Sequence, residues 1–395
     1  MRNWLLPEYI EDVLPRDAYR IEKIRRLIMD KLFAHGYQFV MPPLLEYVES
    51  LLAGSGSGMN LRMFKVVDQL SGKMMGLRAD MTPQAARIDA HMLNASGVTR
   101  LCYASSVVHT VPDEITRTRE PFQVGAELYG HSGIESDLEI QRLLLECLSV
   151  SGIQTIHLDL GHIKVFRSLI RDSGIKPEFE MELYAALWAK DVSSLKELVH
   201  TGLNTRLDKP VQDALLLLPE LYGDNTVLLR ARRYLPDFPE IGEALDQLEH
   251  VARELEPYVG QIIFDLADLR GYHYHTGMVF AAYTPGCPAP IALGGRYDEI
   301  GKSFGRARPA TGFSLDLKQL SRLTDMNDYP MGILAPWKPE DGNLAEMVQQ
   351  LRANGQIVVT ELPGEDDQGR RGCDRTLVFR NGNWEIDPVS PDKVI

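Results

Sequence analysis

Five strand-like, apolar stretches of this chain carry charged and polar residues in their middles. They are LRADMTPQ from Leu77, FQVGAEL from Phe122, LRGYHYHTG from Leu269, GGRYD from Gly294 and TGFSLD from Thr311. A charge buried without a partner is costly, so such segments either lie at an exposed edge, brace a sheet, or line a polar pocket. Gln123 and Glu127 have the same parity and point to one face of their strand. Five such stretches converging on one sheet face predict a pocket. Asp80, Thr82, Gln123, Glu127, Arg270 and Tyr297 offer acids for a cation and an arginine for a carboxylate, which suits an amino acid zwitterion.

The surrounding pattern predicts a mixed α+β core. Asp17 reads as the N-cap of a helix carrying Ile21, Ile24, Ile28 and Leu32 at helical spacing and stopping at Gly36. Leu44 to Leu52 reads as a short helix, and Ser136 with Glu139 as the capping box of a helix through Val150. Between about 172 and 259 the sequence turns rich in Leu, Ala and Glu, which predicts an insertion of two to five helices. Strand patterns resume after it, so residues 1–325 form one core domain. Residues 326–395 read as a small α/β unit: strand Met331 to Ala335, helix Leu344 to Ala353, strand Ile357 to Leu362, and a hairpin around Asn381-Gly382-Asn383.

Several chemistries are excluded or weakened. The glycine-rich run Gly54 to Gly58 lacks the Lys-Ser/Thr ending of a phosphate-binding loop. His273 and His275 share a strand face, but no third metal ligand stands near them. There is no G-x-S-x-G elbow, and the four cysteines are widely spaced, as in cytosolic thiols. No apolar run reaches the roughly 18 residues of a membrane span, and the start shows no signal peptide, so the expectation is cytoplasmic. With 42 basic against 55 acidic residues the net charge is −13, which disfavours broad nucleic-acid binding.

The segments GYQFVMPPLLE, LRADMTPQAAR, REPFQVGAELYG, LRGYHYHTGMVF, LGGRYDEI and PATGFSLDLKQL, in this order, resemble the histidyl-tRNA synthetase family of class II aminoacyl-tRNA synthetases. The resemblance covers about residues 1–171 and 259–323, with the helical insertion where that family carries one. It implies an antiparallel catalytic-type sheet flanked by helices and dimerisation through the stretch Gly36 to Glu46. It assigns histidine binding to Asp80, Thr82, Gln123, Glu127, Arg270, Tyr274, His275 and Tyr297. His275 stands where the family has a tyrosine that touches the imidazole.

The ATP site departs from the family. His109-Thr110-Val111 stands where the synthetases have an Arg-x-Glu triplet, so a largely neutral imidazole replaces a guanidinium that clamps the α-phosphate. The Val111 side chain accepts no hydrogen bond. Pro121 replaces the aromatic residue that packs on adenine, and Gln319 the second ATP-binding arginine, with Asp316 in place of a glycine. Only 70 residues follow Asp325, which is short for the family's anticodon-binding domain. Such a chain resembles the regulatory subunits of short-form ATP phosphoribosyltransferase. That resemblance implies a non-catalytic chain with no cofactor and no resident metal. It implies activation of a catalytic partner in a hetero-octamer, histidine as feedback ligand, and no tRNA or membrane partner. The stretches Gly54 to Gly58 and Val111 to Thr118 are the expected loops over the pocket. The alternatives are an active histidyl-tRNA synthetase with a divergent second motif, or a paralogue acting on another substrate.

Overall fold

The computed structural model describes residues 4–53, 58–112, 118–171, 173, 175–199, 207–272, 274–326, 329–364 and 372–389. Most of the two expected loops (54–57 and 113–117), and His273, lie outside them. The chain forms two compact units, Met1–Met326 and Asn327–Ile395.

The first unit opens with α1 (Pro15–Ala34), which begins two residues before the expected Asp17 cap. Pro15 at the first helical position supplies the fixed φ, and Asp17 instead places its charge in the first turn, where the helix dipole favours it. Gly36, at φ +79°, ends it as expected. Next come β1 (Gln38–Phe39), β2 (Leu45–Tyr47), α2 (Val48–Leu52), α3 (Met59–Arg62), β3 (Lys65–Val67) and β4 (Met74–Leu77). The first half of the expected Leu44–Leu52 helix is thus a strand, because Leu45–Tyr47 pairs antiparallel with Met75–Leu77. Strands β2, β4 and β3 form a small three-stranded sheet.

Helix α4 (Thr82–Arg87) and a π-helical turn (Ile88–Leu93) lead to β5 (Thr99–Ser106), β6 (Phe122–Tyr129), α5 (Ile134–Val150), β7 (His157–His162) and α6 (Ile163–Ile170). The expected capping box at Ser136 is not formed. Helix α5 starts at Ile134, and Glu139 turns outward to a two-point pair with Arg100 of β5, both contacts at 2.7 Å. The insertion consists of α7 (Pro177–Trp188), α8 (Val192–Glu197), α9 (Lys209–Leu217), β8 (Tyr222–Gly223), α10 (Thr226–Tyr234) and α11 (Pro239–Leu255). The core resumes with β9 (Gln261–Asp265), β10 (Met278–Thr284), β11 (Cys287–Arg296), β12 (Ala310–Asp316) and α12 (Leu317–Arg322).

The central sheet has nine strands in the order β1-β5-β6-β12-β11-β10-β7-β9-β8, antiparallel from β5 to β7. Its two faces are chemically different. Val124, Ala126 and Leu128 of β6 share one core with Ile24, Ile28 and Leu32 of α1 and with Leu144 and Leu148 of α5. Each of these isoleucines and leucines, fully buried, contributes about 1.5–3 kcal/mol relative to exposure. Because side chains alternate, the odd-numbered residues Gln123 and Glu127 emerge on the opposite face.

The second unit has four strands in the order β14-β13-β15-β16: β13 (Gly332–Ala335), β14 (Val358–Thr360), β15 (Cys373–Arg380) and β16 (Asn383–Pro388). Helix α13 (Gly342–Ala353), capped by Asp341, packs Leu344 and Val348 on Ile333, Val358 and Leu377. Asn381 (φ +51°) and Gly382 (φ +87°) turn the hairpin, as the Asn-Gly-Asn signal predicts.

Candidate functional site

The site is built around one carboxyl group. Glu127, 1% exposed, accepts the Tyr103 hydroxyl on Oε1 at 2.8 Å and the Tyr297 hydroxyl on Oε2. Two glycines create this geometry. Gly125 faces Tyr103 across the β5–β6 pair, and a side chain there would overlap the tyrosine ring. Gly312 faces Glu127 across the β6–β12 pair, and a Cβ added to it would fall 1.7 Å from Oε2. Burial pushes the Glu127 carboxyl up to about 8, with the Asp80 charge adding to it and the two tyrosine donors opposing it.

Asp80 stands beside it on the loop that enters α4. Its Oδ1 accepts from the Thr82 backbone N–H at 3.1 Å, the Thr82 hydroxyl at 3.2 Å and Gln123 Nε2 at 2.8 Å. Gln123 in turn accepts the Met81 N–H at 2.9 Å. These bonds tie the start of α4 to the sheet and aim Asp80 into a cavity of about 490 Å³. Asp80, Thr82, Glu127, Arg270, Tyr274, His275 and Tyr297 all line that cavity. Gln123 does not; it lines a smaller neighbouring cavity and reaches the larger one through Asp80.

The far wall comes from the segment between β9 and β10. Tyr274 stacks on Tyr297 with ring centroids 4.8 Å apart, and its hydroxyl has no hydrogen-bond partner among the described residues. His275 places Nδ1 3.1 Å from the Arg270 carbonyl, an acceptor that fixes the neutral tautomer and leaves Nε2 as an acceptor. Burial pulls the His275 imidazole down to about 4. Gly295 makes room for this ring, since a Cβ there would stand 2.8 Å from it. Among the wall residues that sequence reasoning misses are Arg62, Tyr184, Asp268 and Tyr272. Tyr184 belongs to the helical insertion and stacks on Tyr272 at 5.4 Å, a contact no local pattern announces. Asp268 stands two residues before Arg270, and that spacing was its only signal.

His109, Pro121 and Gln319, with Gln123 and Asp316, line the second cavity, of about 150 Å³. It adjoins the first through shared Leu293 and Ser314. His109, 7% exposed, donates from Nε2 to the Ala79 carbonyl at 2.9 Å and offers Nδ1 to Arg62 Nη2 at 3.3 Å. Both ring nitrogens are thus spent on the protein. Gln319 donates to the Pro290 carbonyl at 3.2 Å. Asp316 accepts from the Phe122 and Lys318 backbone N–H groups at 2.9 and 3.0 Å, capping α12. Val111 is 57% exposed and contributes nothing to the cavity. Among the described residues, the lining of this small space offers a phosphate a carboxylate and no guanidinium. Among the described residues, no group of three or more His, Cys, Asp or Glu is arranged to hold a metal. No helix among them is long and apolar enough to cross a membrane.

Comparison with known proteins gives the family and the fold. The histidyl-tRNA synthetase family model matches residues 9–320, and the model for the C-terminal domain of the ATP phosphoribosyltransferase subunit HisZ matches 330–387. The ATP phosphoribosyltransferase regulatory subunit of Nitrosomonas europaea is 90% identical over 390 residues, 99% of this chain and 100% of the relative. That of Nitrosospira multiformis is 63% identical over 387 residues, 98% of each. Among solved structures, a regulatory subunit/histidyl-tRNA synthetase from Bacillus halodurans superposes with a TM-score of 0.80 at 27% identity, covering 93% of this chain and 95% of that one. Histidyl-tRNA synthetase from Nostoc sp. PCC 7120 shares the fold, with a TM-score of 0.76 at 18% identity over 96% and 92% of the two chains. A synthetase-like architecture and a HisZ-type C-terminal domain therefore meet in one chain, which belongs to the family of ATP phosphoribosyltransferase regulatory subunits and is non-catalytic.

Proposed function

We propose that this regulatory subunit binds free histidine in the 490 Å³ cavity and passes that signal to a catalytic ATP phosphoribosyltransferase subunit, which it activates in the absence of histidine and inhibits in its presence. The observation that carries the reading is the contrast between two adjoining cavities. The amino-acid side keeps a buried carboxyl held by two tyrosines, with Asp80, Arg270 and an unpaired tyrosine hydroxyl around it. The nucleotide side has His109 and Gln319, whose side chains are already hydrogen-bonded within the protein, where phosphate clamps are needed. A pocket that holds the amino acid and cannot activate it is a sensor. Histidine shifts the equilibrium of the assembly only by binding one state more tightly than the other.

The same reading places two regulatory chains together through the Gly36 to Glu46 stretch, inside a cytoplasmic hetero-octamer that uses no tRNA. Phe39, Met41, Leu44 and Leu45 of that stretch are exposed apolar residues, which supports burial against a second copy. Calorimetry with a panel of amino acids tests the ligand: histidine binds, the others do not, and Glu127→Ala abolishes the heat. Equal binding of several amino acids, or histidine binding that survives Glu127→Ala, refutes it.

A further inference from the structure

Arg270, the cation that meets the ligand carboxylate in this reading, is already engaged by other side chains of the protein. Asp268 grips its fork, with Nη2 3.0 Å from Oδ2 and Nε 3.3 Å from Oδ1. Oδ1 also accepts the Arg270 backbone N–H at 3.1 Å, so a short turn locks the carboxylate to the base of the arginine it neutralises. Nη2 donates to the Tyr283 hydroxyl at 3.3 Å as well. Nη1 is the guanidinium nitrogen that makes no hydrogen bond among the described residues. Asp268 is 7% exposed yet lines the cavity, so it is placed to be felt by a ligand while held away from bulk water.

Phosphate and carboxylate differ in what they ask of such a group. An open guanidinium fork pairs two-pronged with either anion, but a phosphate, carrying up to two charges, gains more than a monocarboxylate from one whose own charge is uncompensated. A monocarboxylate can accept from a single nitrogen. The cavity walls hold Asp80, Glu127 and Asp268 against Arg62 and Arg270. A dianion entering there meets a compensated cation and further acids, whereas a zwitterion brings its own ammonium for them. We propose that Asp268 sets the ligand class of the pocket: by occupying the fork of Arg270 it admits the carboxylate of an amino acid on Nη1 and refuses phosphate groups. This deepens the histidine reading and rests on its use of Arg270. Asp268 acts through Arg270 and is a positioning residue.

The variant D268N tests it, because the asparagine Oδ1 still accepts the Arg270 backbone N–H and keeps the turn while the charge disappears. Inorganic pyrophosphate is titrated by calorimetry into the wild-type chain, D268N, and D268N combined with Arg270→Met. The expected result is pyrophosphate binding at least tenfold tighter in D268N, with the gain lost in the double variant. Unchanged pyrophosphate affinity in a folded D268N overturns the proposal, as does a gain that persists without Arg270. Should D268N fail to fold, D268S, which also retains an acceptor for the turn, carries the same readout. A purely structural role for the ion pair would lower stability without altering anion preference. Since the pyrophosphate titration uses no histidine, the two claims fail separately: absence of histidine heat with the wild-type chain sinks the Proposed function, and an unchanged pyrophosphate affinity in D268N sinks this proposal.

Discussion

Raising the pH from 7 to 8 tightens histidine binding by about fivefold if Glu127 receives an N–H or ammonium of the ligand as a carboxylate. The carboxyl is pushed up to about 8 by burial, and by Asp80 nearby. At pH 7 about 9% of it is ionised and at pH 8 about half, from the usual titration relation in which one pKa unit is about 1.4 kcal/mol. Binding then releases about 0.9 proton per site at pH 7, which calorimetry in buffers of different ionisation enthalpy reads directly. The same group gives a stability signature with the opposite slope. Its folded value lies above the ordinary 4.5, so the empty protein is most stable below that value. The protein loses about 1.4 kcal/mol per pH unit from this group between roughly pH 5 and 8. Glu127→Gln removes that component of the pH dependence of urea unfolding. Histidine affinity that stays constant from pH 6 to 8, with no buffer dependence of the binding heat, refutes the reasoning.

Gly312→Ala forces a Cβ to within 1.7 Å of Glu127 Oε2, so the strand or the carboxylate must move; we expect a loss of about 1–3 kcal/mol in denaturant unfolding and loss of histidine binding by calorimetry. Asp89→Asn leaves Arg308, 7% exposed and paired to Asp89 in the structure, as an uncompensated buried cation. The expected cost is about 3–5 kcal/mol in unfolding free energy, because burial prevents water from replacing the lost partner.

What the sequence could and could not reveal follows from how local each cause is. The parity of Gln123 and Glu127 is a property of the strand itself, and Glu127 does open into the cavity. Gln123 shares its face yet lines the neighbouring space, because Asp80 and the Met81 N–H hold its amide there. The GGRYD and TGFSLD blocks flagged polar function, but the reason for Gly295 and Gly312 lies across the sheet, in His275 and Glu127. The caps were misplaced at Asp17 and Ser136 for two different causes. Pro15 can start a helix earlier than any polar cap, and Arg100 on a neighbouring strand outbids the backbone for Glu139. Tyr184 was invisible because an insertion helix supplies it to a wall some ninety residues downstream. The helix Thr82–Arg87 and the π turn after it went unnoticed, since Pro83 and the polar residues around it mask the periodicity.

The account stands or falls on mixing this chain with a short catalytic ATP phosphoribosyltransferase subunit and following product formation. It predicts little activity from either chain alone, robust activity on mixing, inhibition of the mixture by histidine, and loss of that inhibition, with activity retained, when Glu127→Ala replaces the wild-type chain. Undiminished activity of the catalytic subunit alone, or histidine inhibition that persists with Glu127→Ala, contradicts it.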